Sequence, residues 1–323
     1  MTEIGANTRN DTRFTLLLLG LVAIMILFTE AMIIPALPTI QSQFDTTPAW
    51  AAWIVSIYLL VGAVATPIFG KLGDTYGKKK FFLICMTFYT IGVIGNGVTW
   101  NLSSLLVFRA IQGIGLAIFP LAFAIIRDEF PHDKVATATG IVSAMFGVGA
   151  AIGLVVGAWI SDNYGWQTTY HTAIPFAIIL TLLAAYKLKE SPIRTPSKVD
   201  ILGAMTFSVA LISLLIVMTE GQTWGWTSLS ILSLFGVGIT FIMLFLVIES
   251  RITDPMIDPA MMRKRNVFFT NIIAFIAGLC QFLVFQSVIT SYRRLHPSAV
   301  VAPFFKQDLC WRPERFSCSS WHR

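Results

Sequence analysis

Long apolar runs recur along almost the whole chain, and they leave little choice of fold. About 20 apolar residues is the length a helix needs to cross the hydrocarbon core of a bilayer. Nine such runs can be laid out, at 14–37, 50–69, 80–98, 102–126, 137–160, 170–187, 201–219, 229–248 and 267–290. Only 12% of the residues are charged and 55% are hydrophobic. A soluble domain carries about 25% charged residues, so this chain could not keep such a surface wet. Inside lipid an unpaired backbone group finds no water, and spans of this kind are therefore helices. The sequence predicts an all-α polytopic membrane protein with the lipid bilayer as its surroundings.

The basic residues say which way it sits. With the N-terminus placed in the cytoplasm, the inner links hold sixteen lysines and arginines, and the outer links around 39–49, 99–101, 161–169 and 220–228 hold none. This asymmetry predicts a cytoplasmic N-terminus for a multi-pass protein whose expected place is the cell (plasma) membrane. It also accounts for the net charge of +6 without nucleic acid, since no basic stripe interleaved with aromatics stands on a polar face. No phosphate-cradling loop and no His/Cys/carboxylate set of metal-ligand spacing is visible, so neither an enzyme, nor a cofactor, nor a metal is expected.

Four places carry candidate chemistry. The link Gly70–Phe81 reads GKLGDTYGKKKF. Gly70 and Gly77 would permit a sharp reversal. Asp74 would pair with Lys78 or Lys79 at the membrane boundary, with Arg127 and Asp128 at the end of the fourth span as further partners. In that span Arg109, Gln112 and Gly113 stand at i, i+3 and i+4, on one helix face. An intramembrane arginine should face a cavity or a partner, or else snorkel to the outer boundary. In the fifth span Gly149, Gly153 and Gly157 repeat every four residues and form a flat close-packing stripe. In the first span Glu30 stands in an apolar run. It is either a proton carrier, because desolvation disfavours a charged carboxyl, or a residue at the outer interface that reaches water.

The pattern G-x-L-x-D-x-x-G-[KR]-[KR] in Gly70–Phe81 resembles the signature loop of the major facilitator superfamily, and Arg109-x-x-Gln112-Gly113 resembles that superfamily's R-x-x-Q-G motif. Thr75 and Lys78 depart from it, since basic residues and arginine are usual there. The glycine stripe is similar to the fifth-helix motif of the antiporter members but lacks its proline. Glu30 with Ala36-Leu37-Pro38 resembles the first helix of the drug:proton antiporter-2 family, which has fourteen helices. The resemblance implies a tail at 1–13, a six-helix bundle at 14–187, a linker at 188–200 and an extra helix pair at 201–248. It further implies a loop at 249–266 and, at 267–290, the first helix of an incomplete second bundle. The segment 291–323 is basic and aperiodic and reads as an aberrant end to a longer protein, with a genuine outer tail as the alternative.

The function implied is secondary transport: proton-coupled export of small amphipathic or drug-like molecules by alternating access. Glu30, Arg109 and Gln112 would serve proton coupling or substrate, and Gly70–Phe81 would latch the cytoplasmic side. The other reading is a membrane fragment or partner-binding module that does not transport.

Overall fold

The computed structural model describes residues 2–191, 200–252, 255, 257 and 259–295. Every regular element among them is helical. The bundle contains α1 (Thr2–Ala31), α2 (Ile33–Gln43), α3 (Pro48–Tyr76), α4 (Lys78–Gly97), α5 (Leu102–Gly113), α6 (Ile118–Glu129), α7 (His132–Tyr164) and α8 (Trp166–Lys187). Then come α9 (Ile201–Trp224), α10 (Leu229–Glu249), the short α11 (Pro259–Met262) and α12 (Arg265–Leu295). The chain divides into two compact units, Met1–Phe268 and Phe269–Arg323.

Eight stretches of helix among the described residues are long and apolar enough to cross a membrane, and they coincide with the first eight predicted spans. The ninth falls in α12, where Arg265–Cys280 is a shorter apolar stretch. α1 starts inside the segment expected to be a polar tail. Residues 192–199 of the linker and 296–323 of the expected aberrant end lie outside the described residues.

The sequence supplies the signals that start these helices. The Thr47 side chain accepts the Trp50 N–H ahead of Pro48, and Asn101 forms a reciprocal capping box with Ser104 at α5. Asp200 caps α9, as its position predicts, by accepting the Gly203 N–H at 2.8 Å. Each satisfies a backbone donor that a helix start leaves unpaired. The links are shorter than hydropathy suggests. α3 and α4 are separated by Gly77 alone at φ 126°, and α7 and α8 by Gly165 alone at φ 85°. L side chains resist such backbone angles, which explains a glycine at both turns.

The fourth span is one helix interrupted. Between α5 and α6 the residues Ile114–Ala117 tighten into a 3₁₀ turn. Pro120 follows; its ring excludes the regular bond to the Leu116 carbonyl, four residues earlier. The interruption falls directly after Gly113 of the R-x-x-Q-G motif.

α7 runs along α1. A methyl on Gly153 would lie 2.5 Å from the Phe28 carbonyl oxygen, and one on Gly157 2.5 Å from Met32 Cβ. Gly149 meets the backbone of Ile24 in the same way. The predicted glycine stripe is thus the seam that brings α7 onto α1. α10 packs on α9, and α9 packs on α3. There the Trp53 indole N–H donates to the Glu220 carboxylate at 3.0 Å.

Candidate functional site

Arg109 lies fully buried in the middle of the bundle and does not snorkel. Its Nε donates to the Ile54 carbonyl of α3 at 2.9 Å, and Nη1 donates to Gln112 Oε1 at 3.1 Å. The guanidinium stacks over the Tyr58 ring, 4.5 Å from its centre, a favourable cation–π arrangement. Gly113 makes this approach possible. A methyl there would come within 2.5 Å of the Tyr58 carbonyl oxygen, so only glycine lets α5 lie this close to α3.

Gln112 extends the network to two more helices. Its Oε1 also accepts the Asn96 amide of α4 at 2.8 Å, and its Nε2 donates to Thr29 of α1 at 3.4 Å. Thr29 and Tyr89 share a short hydroxyl–hydroxyl bond, and Tyr89 donates to the Met25 carbonyl. Thr29, Asn96, Arg109, Gln112, Tyr58 and Tyr89 are all fully buried. Their hydrogen bonds matter because an unmet polar group at such a place costs about 1–3 kcal/mol. Glu30 is half-buried at the end of α1, within electrostatic reach of Arg109. The Tyr170 hydroxyl of α8 faces the same guanidinium without meeting hydrogen-bond geometry. Nη2 of Arg109 and the hydroxyls of Tyr58 and Tyr170 have no hydrogen-bond partner among the described residues.

Of the three residues expected to act inside the membrane, Arg109 and Gln112 are in direct contact, and Glu30 lies within electrostatic reach of Arg109. The sequence reading missed Tyr58, Tyr89, Tyr170, Thr29 and Asn96. Uncharged polar and aromatic side chains inside apolar runs look like ordinary packing. The one available signal was a polar side chain at a helical position with nowhere to go but the core.

The second site lies at the Gly77 turn. Lys78 is buried and pairs with buried Asp128 at the end of α6, Nζ to Oδ2 2.5 Å. Asp74, half exposed, sits 3.6 Å from the same ammonium. Ser191 donates to Asp128 at 2.5 Å. Glu190 caps α4 by accepting the N–H groups of Lys79 and Lys80 at 3.1 and 3.2 Å. A carboxylate suits that position, where the helix dipole is positive.

Three expectations for this loop need correction. Gly70 makes no reversal; it lies within α3 with open space beside it, and the turn belongs to Gly77 alone. Lys79 takes part through its backbone, and no ion pair of its side chain occurs among the described residues. Arg127 is exposed and outside the cluster, because the helix turns its neighbour Asp128 inward instead. Glu190 and Ser191 were not anticipated, since nothing local signals a contact spanning 110 residues of sequence.

Comparison with known proteins fits this arrangement. Residues 19–292 match the Major Facilitator Superfamily. Multidrug resistance protein 3 of Bacillus subtilis (strain 168) is 32% identical over 270 residues, covering 83% of this chain and 52% of that protein. Multidrug transporter protein MdtP of the same organism is 29% identical over 276 residues, covering 84% and 51%. The chain spans about half the length of these curated relatives. Among solved structures, the peptide transporter POT in complex with sulfate has a TM-score of 0.55 at 18% identity, over 74% of this chain and 53% of that one. A bacterial homologue of the human lysosomal transporter Spinster has a TM-score of 0.51 at 17% identity, over 74% and 61%. At such identities the structural likeness concerns the fold. The buried Arg109–Gln112 pair, the Gly77 turn and the match over 19–292 agree: the chain is a multi-pass membrane protein and belongs to the Major Facilitator Superfamily of transporters.

Proposed function

We propose that this chain carries the first bundle of a proton-coupled exporter of small amphipathic, drug-like organic molecules, residing in the plasma membrane with its N-terminus in the cytoplasm. The observation that carries this reading is that Glu30 lies within electrostatic reach of a fully buried Arg109. An intramembrane carboxylate next to a fixed cation can exist in two charge states, and each favours a different arrangement of the surrounding helices. Proton binding at Glu30 would release its attraction to Arg109 and bias alternating access between the two sides of the membrane. Gln112, Asn96 and the Ile54 carbonyl hold the arginine in place meanwhile.

The cytoplasmic cluster serves as the latch. Lys78–Asp128, with Asp74, ties α3, α4 and α6 together when the cytoplasmic side is shut. In domain terms, 14–187 forms the bundle, 188–200 links it to the pair 201–248, and 249–266 leads to a ninth span at 267–290. The drug-like substrate class rests on the two Bacillus subtilis relatives, whose names describe multidrug resistance and multidrug transport.

The test is uptake of a lipophilic fluorescent compound into everted membrane vesicles with an imposed proton gradient. The reading expects gradient-dependent uptake that is lost in Arg109→Ala and reduced in Asp74→Asn. Uptake by both variants equal to the parent's would refute the residue assignments.

A further inference from the structure

We infer that a cleft at the Thr12 end of the bundle, between α1, the α6–α7 link and α7, binds the phosphate headgroup of an anionic phospholipid. The cleft has a volume of about 650 Å³, and its wall includes Arg13, Leu16, Phe130, Lys134 and Ile141. It is remote from Arg109. Twenty residues of largely helical chain separate Arg109 from Glu129 at the cleft, roughly 30 Å at 1.5 Å per residue.

Position is the first argument. Thr12 begins one membrane span, His132 begins another and Glu129 ends a third. The cleft is therefore at the level where spans emerge and headgroups lie. Charge is the second. Arg13 and Lys134 are exposed cations at this cleft, and neither makes an ion pair among the described residues. Glu129 is the one carboxylate in the wall, against these two cations. Basic pockets between transmembrane helices at this level are suited to lipid phosphates. Shape is the third. Leu16, Ala138 and Ile141 make part of the wall apolar, and Phe14 and Leu17 of the same helix end are exposed at 36% and 60%. A free phosphate would use only the cations. A phospholipid uses both parts, with the phosphate between Arg13 and Lys134 and the start of an acyl chain along the apolar part of the wall.

The experiment is native mass spectrometry of the detergent-purified chain, titrated with phosphatidylglycerol or phosphatidylcholine. The inference expects one phosphatidylglycerol retained in preference to phosphatidylcholine. Arg13→Gln with Lys134→Gln should weaken retention about fivefold for each cation removed. Arg13→Lys with Lys134→Arg should keep it, and Arg263→Gln with Lys264→Gln, a pair of exposed cations elsewhere, should leave it unchanged. Equal retention of both lipids overturns the inference, as does an unaffected Arg13/Lys134 double variant. Equal loss in the Arg263/Lys264 control shows surface charge alone and also overturns it. Displacement of the lipid by inorganic phosphate at the same concentration makes this a free-phosphate site, against the inference.

Discussion

Arg109 is bound on three sides by groups that only an arginine can satisfy together. Its Nε reaches Ile54, Nη1 reaches Gln112, and the planar guanidinium covers Tyr58. A lysine offers one ammonium and no plane to stack. Arg109→Lys should therefore lower thermal stability in detergent, by about 2 kcal/mol for the lost charged hydrogen bond. A variant as stable as the parent would contradict this geometry. The glycines of α7 give a second contrast at this scale. Gly153→Val drives a side chain into the Phe28 carbonyl and should cost about 1–3 kcal/mol through overpacking. Gly140, on the same helix, has open space beside it. Gly140→Val should change stability by no more than about 0.5 kcal/mol, as a surface substitution does. Parallel melting curves of the two variants check the seam.

Among elements, the Lys78–Asp128 pair ties the start of α4 to the end of α6, and Ser191 brings in the segment after α8. Both charges are buried: removing Lys78 leaves Asp128 without its cation, at about 3–5 kcal/mol, and removing Asp128 leaves Lys78 only the half-exposed Asp74. Lys78→Met and Asp128→Leu should each be strongly destabilising, and the double variant should be less so than their sum. A double-mutant cycle with additive losses would show that the pair does not couple the helices. Much of this scale was legible in the sequence. Spans, the cap at Asp200 and the glycine stripe all follow from local spacing, whereas the caps at Thr47 and Asn101 emerged only with the structure. The turn at Gly77 was legible as a turn, but not that one residue makes it. Helix continues through Lys71–Tyr76 because nothing breaks the backbone there, although hydropathy falls. The capping of α4 by Glu190 was not legible. It is a tertiary contact across 111 residues, made by a glutamate that looks like ordinary linker charge.

At the scale of the whole molecule, the family and the orientation rest on different grounds. Family membership follows from the match over residues 19–292, whereas the proposed orientation rests on sixteen basic residues in the links placed inside against none in the four outer links. Lys80→Cys should react with a membrane-impermeant thiol reagent only from the cytoplasmic side, and Trp100→Cys, 73% exposed in the parent residue, only from outside. The reverse pattern would invert the topology. The interior site was half legible. Charged Glu30 and Arg109 announced themselves because charge in a bilayer is expensive. Tyr58, Tyr89, Tyr170, Thr29 and Asn96 did not, since each is unremarkable until five helices are brought together around one guanidinium. The central claim is that this buried cluster couples protons to export. Its most direct test is gradient-driven uptake of a lipophilic dye into everted vesicles, comparing the parent with Glu30→Gln at equal expression. The account predicts that the parent accumulates dye when the lumen is acidified and that Glu30→Gln no longer responds to the gradient. Equal, gradient-dependent accumulation by both would contradict it.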